Sequence, residues 1–479
     1  MNHPLKILFI SAEVAPFAKT GGLGDVCSSL PKALHTMGHD VRIAMPAYRS
    51  IEQGLPGISP LDRPLTVPLG IGNLPAGVFQ GTLPDSSIPV YFIAEQNLFN
   101  RDKIYGYGDD VYRFSFFSRA ALALIPYLNW RPDVVHAHDW HTAPAVTWLA
   151  TSGQTEDNYR GIPSIFTIHN LAHQGKTTWD IFHYLGIQTH RLYEEGYNEV
   201  NFMARGIYHA TLINTVSPTY AREIMTPEGG AGLDGILRHR HQDLHGILNG
   251  IDYQKWNPAT DKHIPHHFSV DTLDERIENR RALQAYANLP QKDNIPLVAM
   301  VSRLDWQKGL DITGHVIHQL MNGFAGDAQF IVLGTGDPQY ENMFAHIASY
   351  HQDKMRAFLT YDANLAPLIY AGSDIFLMPS LFEPCGLGQL IAMRYGSVPV
   401  VRATGGLIDT IQDGITGFSF YNYSAEDFWQ TLQRAIYIYN VDKESWRNIQ
   451  RNGMTADYSW EKSAQGYQQL YGWAISRYA

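Results

Sequence analysis

Short apolar runs bounded by turn-forming residues constrain this chain more than any other feature. In the first half they are Lys6 to Ser11, Val41 to Met45, Val134 to His136, Ser164 to Ile168, Leu212 to Val216 and Gly246 to Leu248. A strand covered on both faces loses the in-out alternation of a half-exposed one and reads as continuously apolar, so these runs predict buried parallel strands. Helical patterns lie between them. Leu23 to Met37 is the clearest, with Gly38 as its C-cap, while Pro31 inside it predicts a kink or a late start.

The pattern starts afresh after Ile251, beyond a polar stretch, Asp252 to Asn294, that carries Lys255-Trp256-Asn257-Pro258. The alternation then repeats. Strands are expected at Leu297 to Val301, Gln329 to Leu333, Met355 to Thr360, Ile375 to Met378 and Val398 to Val401, with helices at Leu310 to Met321, Asn364 to Ala371 and Leu387 to Tyr395. A chain of 479 residues also exceeds what one core serves. The expectation is an α/β protein of two Rossmann-like domains with parallel sheets, residues 1–250 and 251–457. Facing sheets of that kind turn their carboxyl ends, where open α/β sheets bind ligands, toward a shared cleft. The segment 458–479, with Trp460, Tyr467, Leu470, Tyr471 and Trp473, reads as an amphipathic helix.

Composition removes several classes of function. The formal net charge of -10 disfavours nucleic acid and anionic membrane as partners. No apolar run approaches the roughly 18 residues that span a bilayer, and Ala120 to Ile125 ends at Pro126. Met1-Asn2-His3-Pro4 leads into an apolar segment too short for a signal peptide, so export is not expected. With only Cys27 and Cys385 there is no disulfide framework, and a reducing cytoplasm, or equally a plastid stroma, fits best.

Chemistry-bearing residues cluster just after the expected strands. Lys19-Thr20-Gly21-Gly22-Leu23-Gly24-Asp25-Val26 is a glycine-rich turn opening a helix, where N–H groups and the helix dipole attract an anion. It is neither a P-loop nor a dinucleotide fingerprint, because the Gly-Lys-Ser/Thr ending and the glycine spacing are missing. For an anonymous glycine cluster, a tight strand-to-helix turn with no ligand is the more usual reading. Arg303 and Lys308 stand five residues apart on the turn after Leu297 to Val301, and two fixed cations there suit a diphosphate. Glu383 lies just past another buried strand, where a carboxylate is costly without partners.

The octet resembles the amino-terminal signature of bacterial glycogen synthases and plant starch synthases. The same family's phrases follow in order: His136-Ala137-His138-Asp139-Trp140-His141, Thr167-Ile168-His169-Asn170-Leu171, Leu248-Asn249-Gly250-Ile251-Asp252, Ser302-Arg303-Leu304-Asp305, Gln307-Lys308-Gly309, Glu383-Pro384-Cys385-Gly386-Leu387 and Thr404-Gly405-Gly406-Leu407. The match runs from residue 5 to about residue 465. It implies the GT-B fold, a carboxy-terminal helix that returns to the first domain, and retaining transfer of glucose from ADP-glucose to an α-1,4-glucan or maltooligosaccharide.

By that resemblance Arg303 and Lys308 clamp the diphosphate, and Thr404, Gly405 and Gly406 face the distal phosphate. Glu383 contacts the transferred glucose, with Cys385, Gly386 and Leu387 beside it. His169 and Asp139 face the sugar, Tyr361 stacks on the base and Asn249 touches sugar. Lys19 and Gly22 meet the phosphate side, and Asp25 and Asn170 complete the substrate-binding set. The resemblance implies no metal and no cofactor beyond the donor. His136, His138 and His141 could be read as a metal cluster, but no Cys, His or carboxylate group evidently completes a site. Ile391 stands where the wider superfamily often has a second glutamate, which argues against a two-carboxylate mechanism. Two other readings stay open: a different retaining GT-B glycosyltransferase, against which the octet argues, and a glucan- or nucleotide-sugar-binding protein without catalysis, which intact Arg303, Lys308 and Glu383 disfavour and an ADP-glucose turnover assay decides.

Overall fold

The continuously apolar runs become central strands in both halves of the chain. A computed structural model describes residues 3–52 and 54–478; Met1, Asn2 and Ala479, which the terminal readings include, lie outside the described residues. The chain divides into two compact units, residues 1–250 together with 460–479, and residues 251–459.

Among the described residues the first unit holds twelve strands: β1 (Lys6–Ile10), β2 (Asp40–Pro46), β3 (Ser59–Pro60), β4 (Leu65–Leu69), β5 (Gly72–Thr82), β6 (Pro89–Ala94), β7 (Val134–His138), β8 (Ser164–Ile168), β9 (Lys176–Thr177), β10 (Val200–Asn201), β11 (Leu212–Thr215) and β12 (Leu244–Gly246). Ten form one sheet in the order β12-β11-β8-β7-β1-β2-β6-β5-β3, with β4 paired to β5. Pairing is parallel from β12 across to β6 and antiparallel beyond it. The chain runs outward from β1 through β2 and then returns to β7 on the other side of β1. That reversal makes the carboxyl ends of β1 and β7 the switch point where a crevice opens.

The antiparallel flank β3 to β6 was not anticipated. In β4, Leu65, Val67 and Leu69 are buried while Thr66 and Pro68 are exposed, which is the period-two signature of a half-covered strand rather than a continuous run. Strand β12 lies two residues earlier than Gly246 to Leu248, because an edge strand is only part-buried and its apolar residues do not mark the pairing. The helix Gly22–Thr36 runs through Pro31 without a late start. Its buried face, including Leu23, Val26, Leu30 and Leu34, holds it where the proline removes one backbone donor. Gly38 takes φ +95° after it, and its N–H reaches the His35 carbonyl at 2.9 Å.

The second unit has β13 (Leu297–Val301), β14 (Gln329–Leu333), β15 (Met355–Phe358), β16 (Ile375–Met378), β17 (Val398–Arg402) and β18 (Phe418–Phe420). Their order is β15-β14-β13-β16-β17-β18, parallel throughout. The reversal here falls between β13 and β16. Both sheet faces are covered: one core holds Val298, Met300, Phe330 and Trp446, the other Leu297, Ala299, Phe376 and Ile391.

The last helix, Trp460–Ser476, belongs to the first unit, where it packs on the helix Gly22–Thr36 and on β7 and β8. Tyr467, Leu470 and Tyr471 are fully buried there, and Trp473 faces outward. Among the described residues no helix is long and apolar enough to cross a membrane.

Candidate active site

In the second unit the segments that follow β13, β16 and β17 converge on Glu383. Its Oε2 accepts from Lys308 Nζ at 2.7 Å and from Ser380 Oγ at 3.0 Å. The two charged side chains are 15% and 8% exposed, so the pair is mostly withdrawn from water and each charge depends on the other. The backbone fixes this meeting. Leu381 N–H donates to the Gln307 carbonyl at 2.9 Å, and the Gln307 side-chain amide donates to the Phe382 carbonyl at 3.2 Å.

The Thr404-Gly405-Gly406 turn presses directly on the segment that carries Glu383. A Cβ on Gly405 would lie 1.9 Å from the Glu383 carbonyl oxygen, and one on Gly406 would lie 2.2 Å from that of Cys385. Gly405 also takes φ +47°. The Gly406 N–H donates to the Glu383 carbonyl at 3.1 Å, so that donor serves the fold rather than facing outward as the sequence suggests. Gln389 Nε2 bonds the carbonyls of Cys385 and Gly386, locking the Cys385-Gly386-Leu387 stretch at the start of the helix Gly388–Arg394. Gly405→Ala is therefore expected to destabilise the protein by about 1–3 kcal/mol through overpacking alone. Thermal unfolding checks this.

Arg303 is not drawn into this cluster. Its guanidinium pairs with Asp305 at 3.1 Å and is 59% exposed. Tyr361, three residues past β15, is 77% exposed, so it is no core aromatic. Ile391 is buried in the core, and the position offers no second carboxylate.

The first unit gathers its polar groups at its own switch point. Asp139 follows β7 with φ 56° and ψ 176°, a region that is essentially glycine's and costs a side-chain-bearing residue about 1–3 kcal/mol. Two anchors hold it there: its N–H donates to the Thr167 carbonyl at 2.9 Å, and its Oδ1 accepts the His169 N–H at 2.8 Å. Burial raises the Asp139 carboxyl from 3.8 to about 7, against the opposing help of the His169 and Asn170 N–H groups. His169 follows β8, and its Nε2 shares a 3.0 Å hydrogen bond with His138 Nδ1. Burial lowers His169 to about 3, so its ring is neutral at ordinary pH. Asn170 Oδ1 accepts from Ala172 N–H at 3.0 Å and turns the chain away.

The raised Asp139 carboxyl gives a signed prediction. Between pH 3.8 and about 7 the unfolded carboxyl ionises while the native one resists, so native stability falls as pH rises through that window and levels off above it. Asp139→Asn removes the dependence. The difference in unfolding free energy between Asp139→Asn and the parent, from urea titrations at pH 5 and pH 7.5, should move in favour of the variant at the higher pH.

The glycine turn of the octet is stitched to Glu13, a buried residue just past β1 that sequence reasoning missed. Its carboxylate accepts from Thr20 N–H at 2.6 Å, Thr20 Oγ1 at 2.7 Å, Gly21 N–H at 3.2 Å and Tyr105 Oη at 2.8 Å. Two of the N–H groups offered to an anion are thus held by a carboxylate of the protein. Lys19 Nζ pairs with Asp25 at 2.6 Å, and Gly22 is exposed. A lone acid between apolar residues immediately after the first strand was the available signal for Glu13. Asn249 is buried, and its Oδ1 has no partner among the described residues.

The histidines of the His136 phrase are engaged with other side chains. His136 bonds Thr167 Oγ1 and Tyr471 Oη, His138 bonds His169, and His141 lies against Tyr105, Phe114 and Trp140. Among the described residues no three His, Cys, Asp or Glu side chains are grouped to hold a metal ion. Cys27 and Cys385 are both buried, and burial pushes the Cys27 thiol up, away from reactivity.

With the geometry in place, comparison with known proteins is decisive. Residues 6–239 match the family model of the starch synthase catalytic domain, and residues 283–453 match that of the group 1 glycosyl transferases. The chain is 45% identical to glycogen synthase of Moorella thermoacetica, over 100% of this chain and 98% of that one. It is 44% identical to glycogen synthase of Bacillus cereus strain Q1, over 98% and 99%. Among solved structures, the catalytic domain of starch synthase IV from Arabidopsis thaliana, bound to ADP and acarbose, matches with a TM-score of 0.91 and 36% identity, covering 99% of this chain and 100% of that one. Sucrose-phosphate synthase from Thermosynechococcus elongatus shares the fold, with a TM-score of 0.62 at 17% identity, over 98% and 99%. Full-length likeness to glycogen synthases, together with the paired Lys308 and Glu383 at a strand-tip switch point, identifies the chain as a glycosyltransferase that belongs to the glycogen and starch synthase family.

Proposed function

We propose that this chain extends an α-1,4-glucan at its non-reducing end with glucose from ADP-glucose, keeping the α configuration. The observation that carries the reading is the Lys308–Glu383 pair, 2.7 Å apart and mostly buried at the carboxyl ends of β13 and β16. A departing nucleotide leaves negative charge on its diphosphate while the sugar gains positive charge. A fixed cation touching a fixed carboxylate offers both signs within one site.

Lys308 neutralises the leaving group, and Glu383 supports the oxocarbenium-like sugar. Arg303 joins Lys308 when the donor arrives: its pairing with Asp305 is a surface ion pair, worth little in water and easily exchanged for a phosphate. Tyr361 supplies an exposed ring for the base. The 4-hydroxyl of the chain end attacks from the face that ADP leaves. His169, neutral at ordinary pH, and Asp139 contact the transferring glucose, while Lys19, Gly22, Asp25, Asn170 and Asn249 complete the substrate contacts. The reaction needs no metal or cofactor in this reading, and two buried thiols suit a reducing compartment, the cytoplasm or the plastid stroma.

The relatives' names support the reading: glycogen synthases, and a starch synthase holding ADP and acarbose. Labelled glucose offered as ADP-glucose and as UDP-glucose to maltoheptaose, with the new linkage read by NMR, tests it. Faster incorporation from ADP-glucose into α-1,4 linkages is expected; a β linkage, or release of free glucose without chain growth, contradicts it.

A further inference from the structure

Beneath His169 a buried polar chain leads to the last helix of the protein. His169 Nε2 meets His138 Nδ1 at 3.0 Å, and the His138 ring lies on that of His136 with centroids 4.1 Å apart. Phe9 covers both imidazoles, with centroids at 4.8 Å from His136 and 5.3 Å from His138. His136 is then held at both nitrogens, by Thr167 Oγ1 at 2.7 Å and by Tyr471 Oη at 2.9 Å. Asn214 Nδ2 ties the chain a second time, donating to Thr167 Oγ1 at 3.2 Å and to Tyr467 Oη at 2.9 Å.

Every side chain in this relay below His169 is sealed from solvent. His136, His138, Thr167, Asn214, Tyr467 and Tyr471 are each 0% exposed. A core that only needed volume would place phenylalanines at 467 and 471, because a buried hydroxyl or imidazole is tolerated only when it is paired. Instead two tyrosines of the last helix place their hydroxyls on this chain: Tyr471 Oη on His136 Nδ1, 335 residues away, and Tyr467 Oη as acceptor of Asn214 Nδ2, 253 residues away. A ring bonded at both nitrogens is held in one orientation. The imidazole of His138, packed against it at 4.1 Å, and through that imidazole His169, inherit the constraint.

We propose that Tyr471 is a positioning residue for His169, so that the carboxy-terminal helix sets the reaction geometry of a site whose other residues lie far from it in sequence. The inference rests on the reading that His169 acts on the transferring glucose. Removing the Tyr471 hydroxyl frees His136 to turn, His138 follows, and the His169 ring loses its fixed aim. Binding of donor and acceptor, which other residues carry, is spared.

The test is a double-mutant cycle on the full chain with Tyr471→Phe and His169→Ala, measuring kcat and KM for ADP-glucose and maltoheptaose, with thermal unfolding in parallel. Tyr471→Phe is expected to lower kcat by about 10- to 100-fold, the penalty of a misplaced reacting group, with both KM values little changed. In the His169→Ala background the same change should have no further effect on kcat, since nothing remains to be aimed. Thr167→Val, which removes the other His136 partner, should behave alike and serves if Tyr471→Phe folds poorly. An equal loss of kcat in both backgrounds, or a lowered melting temperature with kcat unchanged, overturns the proposal and leaves the function standing. Full activity in His169→Ala itself overturns both the role of His169 and the positioning built on it.

Discussion

Glu383→Gln is expected to lower kcat by about 100- to 1000-fold while the affinity for ADP stays within about threefold of the parent. The reason lies in what the carboxylate does at each stage. In the resting protein it pairs with Lys308 and accepts from Ser380, and a glutamine oxygen can take over both contacts. What glutamine lacks is the negative charge, whose value rises as the glucose turns cationic. An interaction that grows toward the transition state shows in kcat, whereas one made equally with bound donor shows in KM. Steady-state kinetics with ADP-glucose, beside ADP titration by calorimetry, separates the two. An equal loss of both would mean that Glu383 holds the site together and does nothing further.

The second large effect is expected from Lys308→Ala, and it has two separable parts. Removing the ammonium leaves the Glu383 carboxylate, on a buried residue, still accepting from Ser380 Oγ but without its cation. Breaking such a pair destabilises a protein by about 3 kcal/mol, because the surviving charge is stranded in low dielectric. The melting temperature should therefore fall. Independently, kcat/KM for ADP-glucose should fall by about 100- to 1000-fold as the leaving group loses its cation. The double variant Lys308→Met with Glu383→Leu distinguishes them: apolar replacement of both partners removes the stranded charge and restores stability, yet transfer stays lost. Lys308→Arg is not a safe conservative change, since a planar guanidinium fork presents its donors differently from the point charge that meets Glu383.

How much of this was legible beforehand differs by element. Strands Leu297–Val301, Gln329–Leu333, Ile375–Met378 and Ser164–Ile168 fall where their apolar runs place them, because strands inside a doubly covered sheet write their burial directly into composition. Strands β4 and β5 did not stand out, since one covered face produces alternation, and alternation interrupted by Gly72, Gly77 and Gly81 is weak; β6 is buried continuously over Val90 to Ile93, an apolar run that the sequence reading passed over. In the site, Lys308 and Glu383 were legible as charged residues just past buried strands. Their direct contact was not, because it spans 75 residues and is set by the backbone stitching of Leu381 to Gln307.

The two glycine turns show a subtler gap. Their sequence promises open N–H groups, and the fold commits several of them: Glu13 takes those of Thr20 and Gly21, and the Glu383 carbonyl takes that of Gly406. Glycine is needed at 405 and 406 because two backbone segments approach too closely for any Cβ. No reading of a single segment supplies that, since the colliding partner lies some twenty residues upstream. The strained backbone at Asp139 belongs to the same class. Its φ of 56° depends on the Thr167 carbonyl and the His169 N–H, both on a different strand and the loop that follows it.

Calorimetric titration of ADP into the parent, Lys308→Ala and Glu383→Gln puts the donor site itself to the test. The account predicts clear binding to the parent, at least about tenfold weaker binding to Lys308→Ala and nearly unchanged binding to Glu383→Gln. Equal affinity for ADP in the parent and in a folded Lys308→Ala would mean that the nucleotide sits elsewhere, and the assignment of the strand tips of β13 and β16 as the donor site would fall.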